Sequence, residues 1–164
     1  MSKPKLISYP WALFALFGWA AAAHGNSQLE STTSAELLTT IARPGEGTRA
    51  VFVPAVHVRE GAEIFYTVRV RNTGPAPAEP VVITRQIPRN TRYVIDSAAG
   101  PGADIDFSAD GGRSFATPQQ FMMRAKSRRG DRVMVDSYTH IRWQLRYPLA
   151  PGAVALLRFR VVFK

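Results

Sequence analysis

Between residues 64 and 71 the chain alternates without a slip. Ile64, Tyr66, Val68 and Val70 fall on one phase, and Phe65, Thr67, Arg69 and Arg71 on the other. A period of two is the period of a β-strand with one face buried and one face wet. The pattern returns over 139–147, where Ile141, Trp143, Leu145 and Tyr147 are predicted to point inward and His140, Arg142 and Arg146 outward. It returns again over 154–163, with Leu157, Phe159, Val161 and Phe163 inward and Arg158 and Arg160 outward. No stretch after the N-terminal leader keeps a helical period over three turns. A chain patterned in this way has to bury sheet faces against each other.

Weaker strands fill the intervals. Residues 49–58 carry Val51, Val53, Ala55 and His57 on one phase. Pro54 has no N–H, so that strand is expected at a sheet edge or broken at the proline. Val- and Ile-rich residues 80–87 form another, followed by a short one at 92–96. Residues 104–109 and 113–116 read as a hairpin closed by Asp110-Gly111-Gly112. The basic stretch 119–136 is expected to form a second hairpin around Arg129-Gly130-Asp131, and 37–42 is a weak strand candidate. The 12 Gly and 12 Pro fall mostly between these apolar runs, as turns do. The expectation is an all-β, antiparallel sandwich of about seven strands over 49–164. A polar arm at 26–48, flexible except for the weak strand, precedes it.

Residues 1–25 read as a secretory signal peptide. Lys3 and Lys5 supply the positive start. Pro10-Trp11-Ala12-Leu13-Phe14-Ala15-Leu16-Phe17-Gly18-Trp19 is the apolar centre, and Ala20 to Ala23 provide small residues for cleavage after Ala23 or Gly25. The rival reading is an uncleaved anchor, since 6–23 is just long enough to span a bilayer. Pro10 and the lack of a basic flank after the run weigh against it. The expected location is the periplasm or the cell surface.

The absence of cysteine removes disulfides, Cys-containing zinc sites, blue copper and thiol nucleophiles together. Other chemistry finds little support. Asp104, Asp106 and Asp110 have the spacing of a calcium loop's start, but Ala109 and Phe115 stand where such a loop needs Gly and a bidentate Glu. They read as a polar strand edge and a turn. His24, His57 and His140 lack ligand spacing. There is no Gly-x-Ser-x-Gly elbow and no phosphate-cradling glycine loop. Arg129-Gly130-Asp131 spells an adhesion tripeptide, yet Gly and Asp are ordinary turn residues. Trp143 and Tyr147 lie on the apolar phase, so a core role outweighs a carbohydrate platform. The residues therefore point away from an enzyme, with no cofactor, metal or catalytic residue to name.

Arg59-Glu60-Gly61-Ala62-Glu63-Ile64-Phe65-Tyr66-Thr67-Val68-Arg69-Val70-Arg71-Asn72-Thr73-Gly74 resembles the opening of a bacterial surface-protein repeat family, domain of unknown function number eleven. Val81-Val82-Ile83-Thr84-Arg85-Gln86-Ile87-Pro88, Thr91-Arg92-Tyr93-Val94, Phe107-Ser108-Ala109-Asp110-Gly111-Gly112, Ile141-Arg142-Trp143 and Leu149-Ala150-Pro151-Gly152 continue the likeness. The resemblance implies an immunoglobulin-like sandwich in a secreted or surface protein and no catalytic residues. It departs at Arg85, where the family usually has Asp, and at Asn90, near which it usually has Gly. Asn tolerates the left-handed backbone that the turn needs.

The formal net charge is +9, of which Lys3 and Lys5 contribute two. Such a balance favours anionic partners. Arg142, Arg146, Arg158, Arg160 and Lys164 all fall on the outward phase of the last two strands. If those strands pair through Pro148-Leu149-Ala150-Pro151-Gly152, the five form one candidate anion-binding face. Arg124, Lys126, Arg128, Arg129 and Arg132 form a second basic cluster. The expected role is a non-catalytic structural or binding module that docks an anionic envelope polymer or another envelope protein, with peripheral membrane contact at most. Export and the scarcity of outward aromatics argue against nucleic acid. The competing reading is a periplasmic accessory protein that binds a client by strand addition.

Overall fold

The computed structural model describes residues 28–43, 45, 47–127 and 137–164. The leader, Arg128, Arg132 and the Arg129-Gly130-Asp131 tripeptide lie outside them. Among the described residues, eight strands and one helix follow in chain order: β1 (Leu29–Arg43), β2 (Gly47–Pro54), β3 (Glu63–Asn72), β4 (Val82–Gln86), β5 (Thr91–Tyr93), β6 (Ala103–Ser108), α1 (Pro118–Ser127), β7 (His140–Leu145) and β8 (Val154–Phe163). They build two antiparallel sheets. The larger has the order β2-β1-β3-β8-β5, the smaller β4-β7-β6.

The alternating phases decide which side of each sheet is inside. Ile64, Val68 and Val70 of β3 and Ala155, Leu157, Phe159 and Val161 of β8 are buried on one sheet. Ile83, Phe107, Ile141 and Trp143 are buried on the other. Trp143 and Phe159 meet between the sheets with ring centroids 6.0 Å apart. The Trp143 indole N–H has no hydrogen-bond partner, so packing alone holds the ring. Tyr147 departs from the expected inward phase. β7 ends at Leu145, and Tyr147 is 73% exposed just before Pro148, with its ring lying over Gly102.

β7 and β8 do not pair. The chain crosses between sheets through 146–153, and β8 instead pairs with β3 and β5. The physical reason lies in the apolar phases. Side by side in one sheet, the Ile141/Trp143 and Leu157/Phe159 rows would both need a second layer. On opposite sheets they cover each other. The crossover is pinned by Asn72, fully buried at the end of β3. Its side-chain amide donates to Ala76 O at 2.7 Å and Leu149 O at 2.8 Å, while its Oδ1 accepts from Gly74 N–H at 2.9 Å. The Asn-x-Gly element thus has a structural function: three polar groups of two loops are satisfied by one amide.

Two further expectations are corrected. The arm is a strand from Leu29 onward: its first half pairs with β3 and its second half with β2. Its Ser, Thr and Glu residues alternate without an apolar stripe because this half lies at the sheet margin. There Ser31 and Thr33 meet Arg85 of β4, whose Nη2 donates to Ser31 Oγ at 2.7 Å and whose Nε reaches Thr33 Oγ1 at 3.4 Å. The second correction is at 118–127, which is helical rather than a hairpin arm. Thr117 Oγ1 accepts from Gln120 N–H at 3.2 Å and Gln120 Oε1 accepts from Thr117 N–H at 3.0 Å, a capping box with Pro118 at the first helical position. Phe121 of this helix packs on Tyr138, which stacks on Phe107. Pro54 closes β2 at the edge of the larger sheet as anticipated, and Asn90 adopts φ 60° in its turn.

Candidate functional site

The five cations expected on one face divide between opposite sides of the molecule. Arg142 and Arg146 lie on the outer side of the smaller sheet, where β6 supplies carboxylates from its own outward phase. Arg142 Nη2 donates to Asp106 at 2.7 Å and its guanidinium lies 4.3 Å from the centroid of the Phe115 ring. Arg146 donates through Nε and Nη2 to Asp104 Oδ1 at 2.9 and 2.6 Å. This pair holds the Asp104 carboxyl below the usual carboxylate range and raises the Arg146 guanidinium, chiefly through the hydrogen bonds. The acidic trio of the sequence is thereby dispersed. Two members neutralise arginines, and Asp110 caps a turn through Ser108, Arg113 and Ser114. Among the described residues, no group of three His, Asp or Glu side chains could hold a metal ion.

Arg158 and Arg160 lie on the outward phase of β8, on the opposite side of the sandwich, and Lys164 follows the end of that strand with its N–H on Asn90 O at 2.8 Å. β8 runs between β3 and β5. Register places Thr67 opposite Arg158, Phe65 opposite Arg160, Arg69 opposite Leu156 and Arg71 opposite Val154. Arg69 and Arg71 therefore join Arg158 and Arg160 on the outer face of the larger sheet. Arg160 is satisfied by Glu63 at 2.9 Å and lies 5.8 Å from the Phe65 centroid. Arg69, Arg71 and Arg158 are exposed, and among the described residues no carboxylate lies within ion-pair distance of them. Exposed Val154 and Leu156 share the outward phase of β8 with Arg158. Arg69 and Arg71 were visible in the sequence as the outward phase of β3. What was missing was the strand that lies next to it.

A groove about 290 Å³ in volume opens on this same face, above β1, β3 and β8, with the segment that follows β5 as its far wall. Phe52 of β2 and Phe65 of β3 meet edge-to-face with centroids 5.1 Å apart, and Phe52 keeps 54% of its surface exposed. Arg158 and Arg160 line one side, Glu36 and Thr67 the floor and rim. Phe65, the one outward aromatic of its strand, is thus half-covered by Phe52, which reaches it from the edge strand across β1. A second, more apolar recess of about 250 Å³ lies between Tyr93, Ile95, Phe107, Phe121, Met122 and Tyr138.

Among the described residues, no strand pairs with the outer edge of β2. Ala55 N–H bonds to Ala35 O at 2.9 Å, which fixes the parity of the β1–β2 ladder. Thr48, Ala50 and Phe52 consequently turn their main-chain N–H and C=O groups away from β1. Leu38, Ile41 and Phe52 are exposed on this ribbon. The chain finds no significant match among family models, curated proteins or solved structures.

Proposed function

We propose that this chain is an exported, non-catalytic, immunoglobulin-like module of the bacterial envelope or cell surface that docks an anionic envelope polymer on the outer face of its larger sheet. One observation carries the reading. Arg142 and Arg146 on the smaller sheet are matched to Asp106 and Asp104, whereas among the described residues Arg69, Arg71 and Arg158 on the larger sheet are exposed and make no ion pair. Register sets none of the three directly opposite another cation, and an anionic partner gains the charge-assisted hydrogen bonds that guanidinium groups make in bidentate form.

The test is binding to alginate, a carboxylated polysaccharide, at rising ionic strength. Affinity is expected to fall as the screening length shrinks from about 8 Å at physiological salt to about 3 Å at 1 M. Arg69→Glu with Arg158→Glu is expected to abolish binding, and Arg146→Glu, on the other sheet, to leave it unchanged. Equal behaviour of both variants would defeat the reading. The outer edge of β2 supports a second one, an accessory protein that accepts a client strand at Thr48, Ala50 and Phe52. Partner affinity on that reading is insensitive to Arg158 and to salt.

A further inference from the structure

We infer that the groove beside Phe52 is a subsite for a single acidic sugar residue, a hexuronate unit of the docked polymer. This inference rests on the proposed docking face and adds what the face by itself does not specify, the chemistry of the repeating unit. A plain polyanion needs only cations. The groove offers more: an exposed phenyl ring braced edge-to-face by Phe65, a carboxylate at Glu36, a hydroxyl at Thr67 and the exposed guanidinium of Arg158.

Those groups match a uronate part by part. The apolar face of a pyranose ring covers an aromatic ring. Arg158 takes the sugar carboxylate. Glu36 accepts hydroxyl protons and Thr67 can donate or accept. Glu36 separates the ligand classes, because a carboxylate repels both anions but accepts hydroxyl protons that a uronate has and a phosphate chain lacks. Arg160 is already engaged by Glu63 and stands over Phe65, so it fixes the wall rather than the ligand. A volume of about 290 Å³ is at the low end of small-molecule sites, about 300–1,000 Å³, which suits one ring rather than several.

The experiment measures wild-type binding of three probes by calorimetry: a galacturonate hexamer, a neutral maltose-series hexamer, and tripolyphosphate. Phe52→Ala and Phe52→Leu are then compared, the second keeping apolar bulk without a ring, with thermal melts to show that both fold. The expected result is a loss of about tenfold in galacturonate affinity for both, the scale of a lost ring contact, and little change for tripolyphosphate. Glu36→Gln is expected to weaken galacturonate and strengthen tripolyphosphate, opposite signs that a structural effect would not produce. If the Phe52 variants bind galacturonate as the wild type does while Arg158→Gln does not, the docking face stands and the sugar subsite is overturned. If the wild type binds neither acidic probe, both fall.

Discussion

Asp110 shows how much one side chain can organise when its neighbours all donate. It receives the Ser108 and Ser114 hydroxyls at 2.7 and 2.6 Å and the N–H groups of Arg113 and Ser114 at 3.0 and 2.9 Å. Its carboxyl is held far below the usual carboxylate range, first by the Ser114 hydroxyl, then by the Ser114 N–H and the Ser108 hydroxyl. Gly111 and Gly112, at φ 79° and 88°, supply the left-handed backbone that brings those donors round. Because the folded pKa lies below the unfolded one, the unfolded chain takes up the proton first as pH falls. The contribution is complete above about pH 4 and drains away below it, toward the folded value. Asp110→Asn is expected to flatten that acid limb, seen as a shallower fall of melting temperature from about pH 4 to pH 2 than in the wild type. An unchanged slope would mean the turn is organised without the charge. At Gly100 space is the constraint: a Cβ there would stand 2.8 Å from Leu157 Cδ2 and 3.1 Å from Trp143 Cδ1.

At the scale of elements, β1 is the least self-sufficient strand. Among the described residues, its first half has β3 on one side and no paired strand on the other, and its inward phase offers Ser31, Thr33 and Ala35 where other strands offer Val or Ile. Arg85 compensates by reaching across from the edge of the smaller sheet. Arg85→Ala is expected to speed amide hydrogen exchange across the first half of β1 while leaving β3, β7 and β8 protected, because local opening follows the weakest packing. Uniform acceleration through all four strands would show that Arg85 supports the whole sandwich instead. Helix α1 was legible in principle, since Thr117-Pro118-Gln119-Gln120 is a capping signature. The short helix lacks the long apolar stripe by which helices are usually recognised.

For the whole molecule, stability depends on the contact between sheets. Trp143→Ala is expected to cost about 3–5 kcal/mol in urea denaturation, as for truncation of a large core aromatic. Trp143→Phe should cost less, since it keeps a ring and removes a buried N–H that has no partner. Equal losses would show that the indole's extra volume, not the unpaired donor, dominates. The alternating phases of β3, β7 and β8, the edge placement of Pro54 and the turns at Asn90 and Asp110-Gly111-Gly112 were determined by the sequence alone, because each depends on side-chain period or local backbone geometry. The sequence also marked Arg69, Arg71, Arg158 and Arg160 as outward. Only the tertiary structure decided that β8 lies beside β3 and that β7 lies on the opposite sheet. It therefore decided which arginines share a face, which meet Asp104, Asp106 or Glu63, and that Phe52 reaches Phe65. Period two assigns a side to every residue but says nothing of which strand comes next. That choice is made by the burial of two apolar faces against each other.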